Sequence, residues 1–371
     1  MPVLLSAASA FPLHRYPQAQ ITEAFTELMV VNAADATQPV APTGDDRSST
    51  SLRNAIARTH AATTVESRHL ALPLADYEKL DDFGAANDAF LREAPPLAAR
   101  AVTLALERAG LVADDVDLVI STTVTGVAAP SLDARLMPLL GLRSDVTRLP
   151  LVGLGCVAGA AGVARVADYL RGHPDDVAVL VSVELCSLTL QREDTSMANV
   201  VSSGLFGDGA AAVVLVGDHR ADRLGRSGVR VRDSLSHFFP DTERVMGWDI
   251  GSFGMRVVLS PTVPDLVANE LRPVVDALLL RNGLAVGDVN HWVVHPGGPK
   301  VLTALQDALD VDARATKLTW DSLREVGNLS SASVLHVLEL TLAQNPVGTG
   351  HPAVLLAMGP GFCAELVLLR W

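Results

Sequence analysis

Three polar residues of this sequence occupy positions at which a reactive side chain would be well placed. Cys156 lies in Gly-Leu-Gly-Cys-Val-Ala-Gly, His295 in Val-Val-His-Pro-Gly-Gly-Pro and Asn328 in Val-Gly-Asn-Leu-Ser-Ser. A thiol on a tight turn that opens a helix lies near unsatisfied N–H groups and the positive end of the helix dipole, which lower its pKa. The pattern predicts Cys156 as a nucleophile, with the imidazole and the amide as hydrogen-bond donors to an oxyanion.

Each of the three residues also has a simpler interpretation. A free cysteine is usually buried and inert. A histidine beside glycines can be a loop residue whose hydrogen bonds are satisfied locally, and an asparagine ahead of a helix is typical of an N-cap. The combination of Cys156, His295 and Asn328 favours chemistry over three separate structural roles.

A dinucleotide site is a second interpretation of the same turn. Gly153-x-Gly155-x-x-Ala158 between a strand and a helix satisfies the relaxed fingerprint of such sites. The candidate ribose-binding acid, Glu184, follows well beyond the usual distance of about 20 residues, and a thiol would occupy the turn that the pyrophosphate approaches. The pattern therefore favours the nucleophile.

Alternating apolar and amphipathic segments indicate the elements that position these residues. A helix is predicted near Ala98–Ala109, ended by Gly110, and a second over Gly159–Leu170. Val177–Val183 is predicted to be a fully buried strand. Residues 33–51 have no hydrophobic period and are predicted to form a long surface loop. The alternation predicts a mostly parallel sheet covered by helices on both faces.

An internal repeat with an offset near 173 residues indicates a duplicated α/β half. Three blocks match in order: Gly110-Leu111 with Gly283-Leu284, the turn at Cys156 with the turn at Asn328, and Ala178-Val179-Leu180 with Ala353-Val354-Leu355. The alternative is a chance echo of composition. Because related halves bring equivalent loops together, Cys156 and Asn328 are expected to converge, with His295 at the carboxyl end of a strand. We expect halves 1–220, with the cysteine, and 221–371, with the histidine and asparagine.

Composition narrows the class of protein. The 371 residues are 49% hydrophobic and 19% charged, which indicates a large core and excludes a disordered chain. The net charge of −13 argues against nucleic-acid or anionic-membrane partners. The three cysteines have no disulfide or metal spacing, and no apolar run is long enough for stable membrane insertion. We expect a cytoplasmic protein without a metal.

Five ordered motifs resemble those of the type III polyketide synthases, the chalcone-synthase-like group. They are Gly155-Cys156, Leu205-Phe-Gly-Asp-Gly-Ala210, His295-Pro-Gly-Gly-Pro299, Gly327-Asn-Leu-Ser-Ser331 and Met358-Gly-Pro-Gly361. The resemblance implies the α/β thiolase fold, with duplicated α/β halves packed as αβαβα layers, and a homodimer. It implies a Cys156, His295 and Asn328 triad that uses an acyl-CoA starter and malonyl-CoA and needs no cofactor.

The resemblance also implies residues around the triad. Phe206 matches the aromatic gatekeeper between the CoA tunnel and the cavity, and its alternative is a core phenylalanine. The second gatekeeper falls on Val257, and Ala129 matches a methionine that plant enzymes extend into the partner's cavity. The remaining candidates are Thr189, Gly359 and Pro360 for substrate binding, and Arg53, Arg58 and Arg68 for the CoA phosphates.

Alternatives remain open at the level of function. An initiating β-ketoacyl-ACP synthase of type III would share the three residues, and an inactive partner subunit would share the fold. Within the resembling family, the stretch after Glu184 is most similar to bacterial alkylresorcinol and alkylpyrone synthases. Val257, Ala129, Ala357 and Met358 differ in size from the plant residues, which predicts room for a long acyl chain.

Overall fold

The computed structural model describes residues 1–36, 46–344 and 347–371. The strands are β1 (Val3–Ala10), β2 (His14–Pro17), β3 (Ser67–Leu70), β4 (Leu118–Thr122), β5 (Thr147–Leu151), β6 (Val177–Leu185), β7 (Asp208–Val216), β8 (Val229–Phe238), β9 (Met246–Gly251), β10 (Gly254–Leu259), β11 (His291–Val294), β12 (Pro352–Gly359) and β13 (Cys363–Arg370). The α-helices are α1 (Gln18–Ala36), α2 (Asp46–Ala61), α3 (Phe83–Ala109), α4 (Leu132–Leu140), α5 (Ala158–Gly172), α6 (Met197–Leu205), α7 (Asp218–Leu224), α8 (Val263–Leu280), α9 (Pro299–Leu309), α10 (Lys317–Val326) and α11 (Ser333–Gln344).

Nine strands form the main sheet, in the order β11-β12-β13-β8-β1-β7-β6-β4-β5. Only β4 with β5, β4 with β6, and β11 with β12 are parallel neighbours among the described strands. The predicted predominance of parallel pairs is therefore wrong. Strands covered on both faces are apolar throughout whichever way they run, so the apolar runs did not reveal strand direction.

The sheet shows the predicted duplication. The order β4-β6-β7-β1 in the first half recurs as β11-β12-β13-β8 in the second, with one parallel and two antiparallel pairs in each. The two halves join where β1 pairs with β8 through Val3 and Leu4. This repeated order confirms a duplicated α/β architecture.

The structural repeat changes one predicted correspondence. The 3₁₀ turn Gly155–Val157, which precedes α5, has its counterpart in the 3₁₀ turn Ser330–Ala332, which precedes α11. The equivalent of Cys156 is thus Ser331, and the predicted match to Asn328 is wrong by three residues. The glycine before each turn misled the sequence comparison, because the second half has a longer approach to its turn.

The core is divided into layers by the alternation of side chains along each strand. On β6, Val179 and Val181 face the α3 side while Ala178 and Leu180 face α5. On β12 the same alternation divides the side chains between the α5 and α11 layer and the α8 and α9 layer. The successive layers are α3, the strands of the first half, α5 with α11, the strands of the second half, and α8 with α9. This is the αβαβα order expected of the thiolase fold.

The predicted surface loop is largely helical where the structure describes it. Helix α1 continues to Ala36 and α2 begins at Asp46, while residues 37–45 lie outside the described residues. Ile56 of α2 packs against Met29 of α1. The first part of α2, residues 46–51, is entirely polar in sequence, which explains why no hydrophobic period was visible there.

Two features of the described residues bear on membrane crossing and metal binding. None of the helices there combines the length and the apolar character that crossing a bilayer requires. Within the same ranges, no three His, Cys, Asp or Glu side chains are grouped closely enough to hold a metal ion.

Candidate active site

Cys156 lies on the 3₁₀ turn between β5 and α5, as the sequence predicted. Gly155 before it has a φ of 58°, and a Cβ there would lie 2.7 Å from Cδ of Pro360. A side chain at residue 155 would therefore be both strained and obstructed. The Cys156 side chain is 7% exposed, and its Sγ donates to Oγ of Ser330 at 3.6 Å.

The end of β12 packs directly against this turn. A Cβ on Gly359 would lie 2.7 Å from the backbone nitrogen of Val157, so the strand can approach only because residue 359 is glycine. Gly359 is buried behind the turn, whereas Pro360 lines the cavity beside Cys156. Of these two predicted residues, Pro360 alone borders the cavity.

Asn328 lies where the first and second halves meet. It forms a parallel bridge with Phe206, and its backbone N–H donates to the carbonyl of Leu205 at 2.9 Å. Its Oδ1 accepts from the backbone N–H of Ser330 at 2.8 Å and from Oγ of Ser333 at 3.3 Å. The amide oxygen therefore organises the turn, as the N-cap alternative expected, and the amide nitrogen is the end that can donate to a substrate.

His295 directly follows β11, at the carboxyl end of a strand as predicted. Its backbone N–H donates to the carbonyl of Leu356 at 2.8 Å, and its side chain is 5% exposed. Nδ1 has no hydrogen-bond partner among the described residues. Burial lowers the pKa of the imidazole to about 3, so the ring is neutral at neutral pH.

The charge state of the thiol differs from the prediction. Burial raises the pKa of Cys156 to about 12, the hydrogen bond with Ser330 opposes this rise, and the charge of Glu184 adds to it. The predicted lowering of the pKa by the helix start is wrong for the resting protein. Burial therefore disfavours a thiolate–imidazolium ion pair, because it destabilises both charged forms.

A buried carboxyl group lies behind the thiol. Oε2 of Glu184 accepts from Oγ1 of Thr125 at 2.8 Å and from the backbone N–H of Val124 at 3.1 Å, and Oε1 accepts from Oγ of Ser331. Burial raises the pKa of this carboxyl, and these hydrogen bonds oppose the rise. Sequence reasoning considered Glu184 solely as a ribose ligand, since nothing local marks its hydrogen-bond network.

One cavity brings most of the predicted residues together. The predicted side chains on its wall are Cys156, Phe206, Thr189, Val257, Pro360 and Arg68. His295 and Asn328 are buried and are not among the side chains that line it. Phe25, Leu190, Met246 and Trp248 give the cavity a bulky apolar wall that the sequence did not reveal.

The remaining predicted residues lie elsewhere. Ala129 is exposed and does not line the cavity of its own chain. Arg53 forms a surface ion pair with Glu27, and Arg58 is exposed. Arg68 is 1% exposed, and its role in binding the CoA phosphates stays a prediction.

Ala357 and Met358, whose sizes helped to predict room for a long acyl chain, are core residues. Ala357 packs into the layer that contains α5 and α11, and Met358 packs into the layer that contains α8 and α9. Neither lines the cavity. Their sizes therefore do not support a long acyl tunnel, and Trp248 and Met246 occupy space that the sequence argument left open.

Comparisons with known proteins agree with this architecture. A family model of the C-terminal domain of chalcone and stilbene synthases matches residues 230–371, and a model of FAE1/type III polyketide synthase-like proteins matches residues 79–233. A 1,3,6,8-tetrahydroxynaphthalene synthase of Streptomyces peucetius subsp. caesius is 50% identical over 98% of this chain and 91% of that protein. A phloroglucinol synthase of Pseudomonas fluorescens is 33% identical over 84% of this chain and 87% of that protein.

The solved structures lead to the same family. The crystal structure of 1,3,6,8-tetrahydroxynaphthalene synthase from Streptomyces coelicolor has a TM-score of 0.86 and 30% identity, covering 100% of this chain and 99% of that chain. These matches favour the synthase over the alternative of a β-ketoacyl-ACP synthase. With its duplicated thiolase fold and its glycine-flanked Cys156, the chain belongs to the type III polyketide synthases, the family of the chalcone and stilbene synthases.

Proposed function

We propose that Cys156 carries the growing acyl chain, with His295 and Asn328 as hydrogen-bond donors. The main support is the position of the thiol, which borders a largely apolar cavity at a turn that packs against Pro360. The family catalyses decarboxylating Claisen condensations, which need one nucleophile and donors for an oxyanion. Each step then uses the CoA thioesters themselves and no separate cofactor.

The proposed cycle begins with the thiol of Cys156 and the imidazole of His295 both uncharged. Sγ of Cys156 attacks the thioester carbonyl of the starter, its proton passes to the neutral imidazole of His295, and CoA leaves as the thiol. Malonyl-CoA then enters, and its C–C bond to the carboxylate breaks to release CO2. The electron pair forms an enolate whose oxygen accepts hydrogen bonds from His295 and Asn328. The enolate carbon attacks the tethered acyl group and frees Cys156.

We propose a polyhydroxylated aromatic product. The supporting observation is the 50% identity over 98% of the chain with a protein named 1,3,6,8-tetrahydroxynaphthalene synthase. Hydroxyl groups on alternate ring carbons are the pattern that head-to-tail joining of two-carbon ketide units leaves after ring closure. Trp248 and Met246 form a bulky wall of the cavity. This wall favours a short starter, whose extended chain folds back on itself, rather than a starter with a long alkyl chain.

We propose a cytoplasmic homodimer. All three cysteines are unpaired, which suits a reducing compartment. The exposed segment around Ala129 carries the apolar side chain of Val127, which is 55% exposed. Such a segment suits contact with a second copy of the chain.

Replacement of the three residues tests the catalytic proposal. Cys156→Ala is expected to abolish extended products while malonyl-CoA and acyl-CoA still bind. His295→Ala and Asn328→Ala are each expected to slow malonyl-CoA decarboxylation by roughly 10²–10³-fold, the usual loss for one oxyanion donor. Product mass spectrometry and release of CO2 measure both effects. Extended products from Cys156→Ala, or normal decarboxylation by both other variants, would contradict the assignment.

A further inference from the structure

Arg68 is a buried cation on the wall of the cavity that contains Cys156. The side chain is 1% exposed, and no carboxylate lies within ion-pair distance of it in the described residues. Asp208 acts on the guanidinium electrostatically, but the oxygens of that carboxylate accept from the backbone of Ala71 and from Ser187. The charge of Arg68 is thus only partly compensated by the fold.

Some N–H groups of the Arg68 guanidinium have structural partners. Nη1 donates to the carbonyl of Phe206 at 2.5 Å, just past the end of α6, and Nε donates to Oε1 of Gln18 at 3.0 Å. The bond to Phe206 satisfies a backbone carbonyl at the C-terminal end of α6, which is a common use of arginine. Nη2 is buried and has no hydrogen-bond partner in the described residues. Both N–H groups of Nη2 are therefore unexplained by the fold.

A second unpartnered polar atom lines the same cavity. Oγ of Ser202, on α6, is buried and likewise lacks a hydrogen-bond partner among the described residues. Its neighbour Ser203 differs, because Oγ of that residue donates to the carbonyl of Val200 at 3.0 Å and contacts His60. Buried polar atoms normally have partners, so two such atoms on residues that line one cavity point to a polar ligand.

We infer that Arg68, through Nη2, and Ser202, through Oγ, bind the free carboxylate of a carboxylated acyl starter held on Cys156. This inference rests on the proposed function. A guanidinium with a neighbouring hydroxyl suits a carboxylate because both groups donate to it, and the paired charge is strongest in an apolar enclosure. Malonyl-CoA carries such a carboxylate, so the enzyme could begin a chain with the same thioester that extends it.

Binding would also protect the carboxylate. Decarboxylation converts a localised negative charge on the carboxylate into one on the thioester oxygen. A cation held at the carboxylate stabilises the starting state, and donors at the thioester oxygen stabilise the enolate. Arg68 and the pair His295 and Asn328 would therefore separate a starter that keeps its carboxylate from an extender that loses it.

Paired thioesters that differ only in a carboxylate test the inference. Succinyl-CoA is compared with butyryl-CoA, and malonyl-CoA with propionyl-CoA, by the initial rate of Cys156 acylation in intact-mass spectrometry. The wild type is expected to prefer the carboxylated member of at least one pair. Arg68→Met is expected to reduce that preference at least tenfold, and Ser202→Ala about threefold to tenfold.

Controls separate this inference from the proposed function and from misfolding. Ser203→Ala, on the same helix, is expected to keep the wild-type preference because its hydroxyl is engaged within the fold. Ser202→Ala removes no bond of the fold and keeps the test valid if Arg68→Met fails to fold. Equal acylation by both members of each pair in the wild type, or an unchanged preference in both variants, would overturn the inference. If Arg68→Met slows acylation by both members of a pair equally, the side chain acts on the CoA portion, and this result would also overturn the inference. If no thioester acylates the wild type, the proposed function itself is contradicted.

Discussion

The thiol of Cys156 and the imidazole of His295 are both neutral in the resting protein. Burial raises the pKa of one and lowers that of the other, so the preferred state is uncharged on both sides. A neutral imidazole can accept a proton on one nitrogen while it donates from the other. The proposed reaction therefore begins with proton transfer and does not require a preformed ion pair.

Alkylation of the resting enzyme tests this charge state. Because a thiol reacts as the thiolate, a pKa of about 12 for Cys156 predicts an iodoacetamide rate that rises with each unit of pH from about 7 to 10 without a plateau. Cys363, whose pKa burial raises to about 11, is expected to show the same shape. Peptide mass spectrometry measures each site. A plateau for Cys156 alone below the normal thiol pKa of about 8.5 would instead support the helix-start argument.

Sequence reasoning located the reactive residues but not their environment. The glycines around Cys156 and the strand ahead of His295 are local signals, and the structure puts both residues where those signals indicated. The pKa of each residue depends on burial by segments distant in the chain, such as the loop that contains Pro360. The unpartnered Nη2 of Arg68 depends in the same way on long-range packing, so the sequence offered only a charged residue of unknown partner.

At the scale of elements, the contact between β12 and the turn at Cys156 positions the thiol. The contact depends on Gly155 and Gly359, since a Cβ on either would meet atoms of the opposing segment within 3 Å. The turn, in the first half, is consequently held in place by the end of β12 from the second half.

Two glycine variants on this turn separate backbone strain from steric obstruction. Gly153 and Gly155 both have positive φ, at 88° and 58°, but a Cβ on Gly153 meets nothing within 4 Å. Gly153→Ala is expected to cost about 1 kcal/mol of the free energy of unfolding from strain alone. Gly155→Ala is expected to cost more and to slow acylation of Cys156, because Pro360 must move. Thermal unfolding and acylation rates compare them, and equal effects of both variants would contradict the proposed contact.

A second set of contacts joins α11 of the second half to elements of the first. Burial raises the pKa of Glu339, but hydrogen bonds from His336, Ser9 and Arg108 outweigh burial and lower it to about 2. Nη1 of Arg108, on α3, donates to this carboxylate at 2.6 Å. The carboxylate thus links the central layer to the outer helix.

The lowered pKa predicts a pH-dependent contribution to stability. A group with a folded-state pKa below its unfolded value stabilises the protein above the unfolded pKa, here near 4.5, and loses that contribution as the pH falls toward about 2. Glu339→Gln is expected to lower the free energy of unfolding by about 1–2 kcal/mol at pH 7. The difference from wild type should shrink below pH 4.5 in denaturant titrations. The exposed Glu325→Gln serves as the control, and a difference that persists at low pH would contradict the assignment.

Element boundaries show where prediction from sequence succeeded. The helix ended by Gly110 is confirmed, because the glycine adopts a φ of 66° and caps the preceding turn. Helix α2 was missed, because it is attached through few apolar residues and lies mainly on the surface. The direction of β7 and β13 was missed for another reason, since strands buried on both faces carry the same pattern whether parallel or antiparallel.

At the scale of the whole molecule, the two halves share one sheet and one central helical layer. Side chains from β4 and β6 in the first half, and from β11 and β12 in the second, pack against α5 and α11 in a single cluster. Neither half can cover that layer alone. The repeated halves are therefore not independent folding units, and we expect them to unfold together.

A comparison of the unfolding midpoints reported by two probes, one in each half, tests whether the halves unfold together. All four tryptophans lie in residues 221–371, so fluorescence reports on the second half, while hydrogen exchange in β6 reports on the first. A single transition with equal midpoints is expected for both. Leu335→Ala, at a side chain with 0% exposure in the central layer, should lower both midpoints together, with a loss of about 2–5 kcal/mol. Separate midpoints for the two halves would contradict shared unfolding.

The place of β1 in the sheet has a consequence for how the protein is made. This strand is hydrogen-bonded on one side to β7 and on the other to β8, which begin about 200 residues after it ends. A ribosome synthesises β1 long before either neighbour, so an apolar strand waits exposed in the nascent chain while the rest is translated. Completion of the sheet centre therefore comes late, and during that interval the cell's holding chaperones have a defined apolar segment to protect.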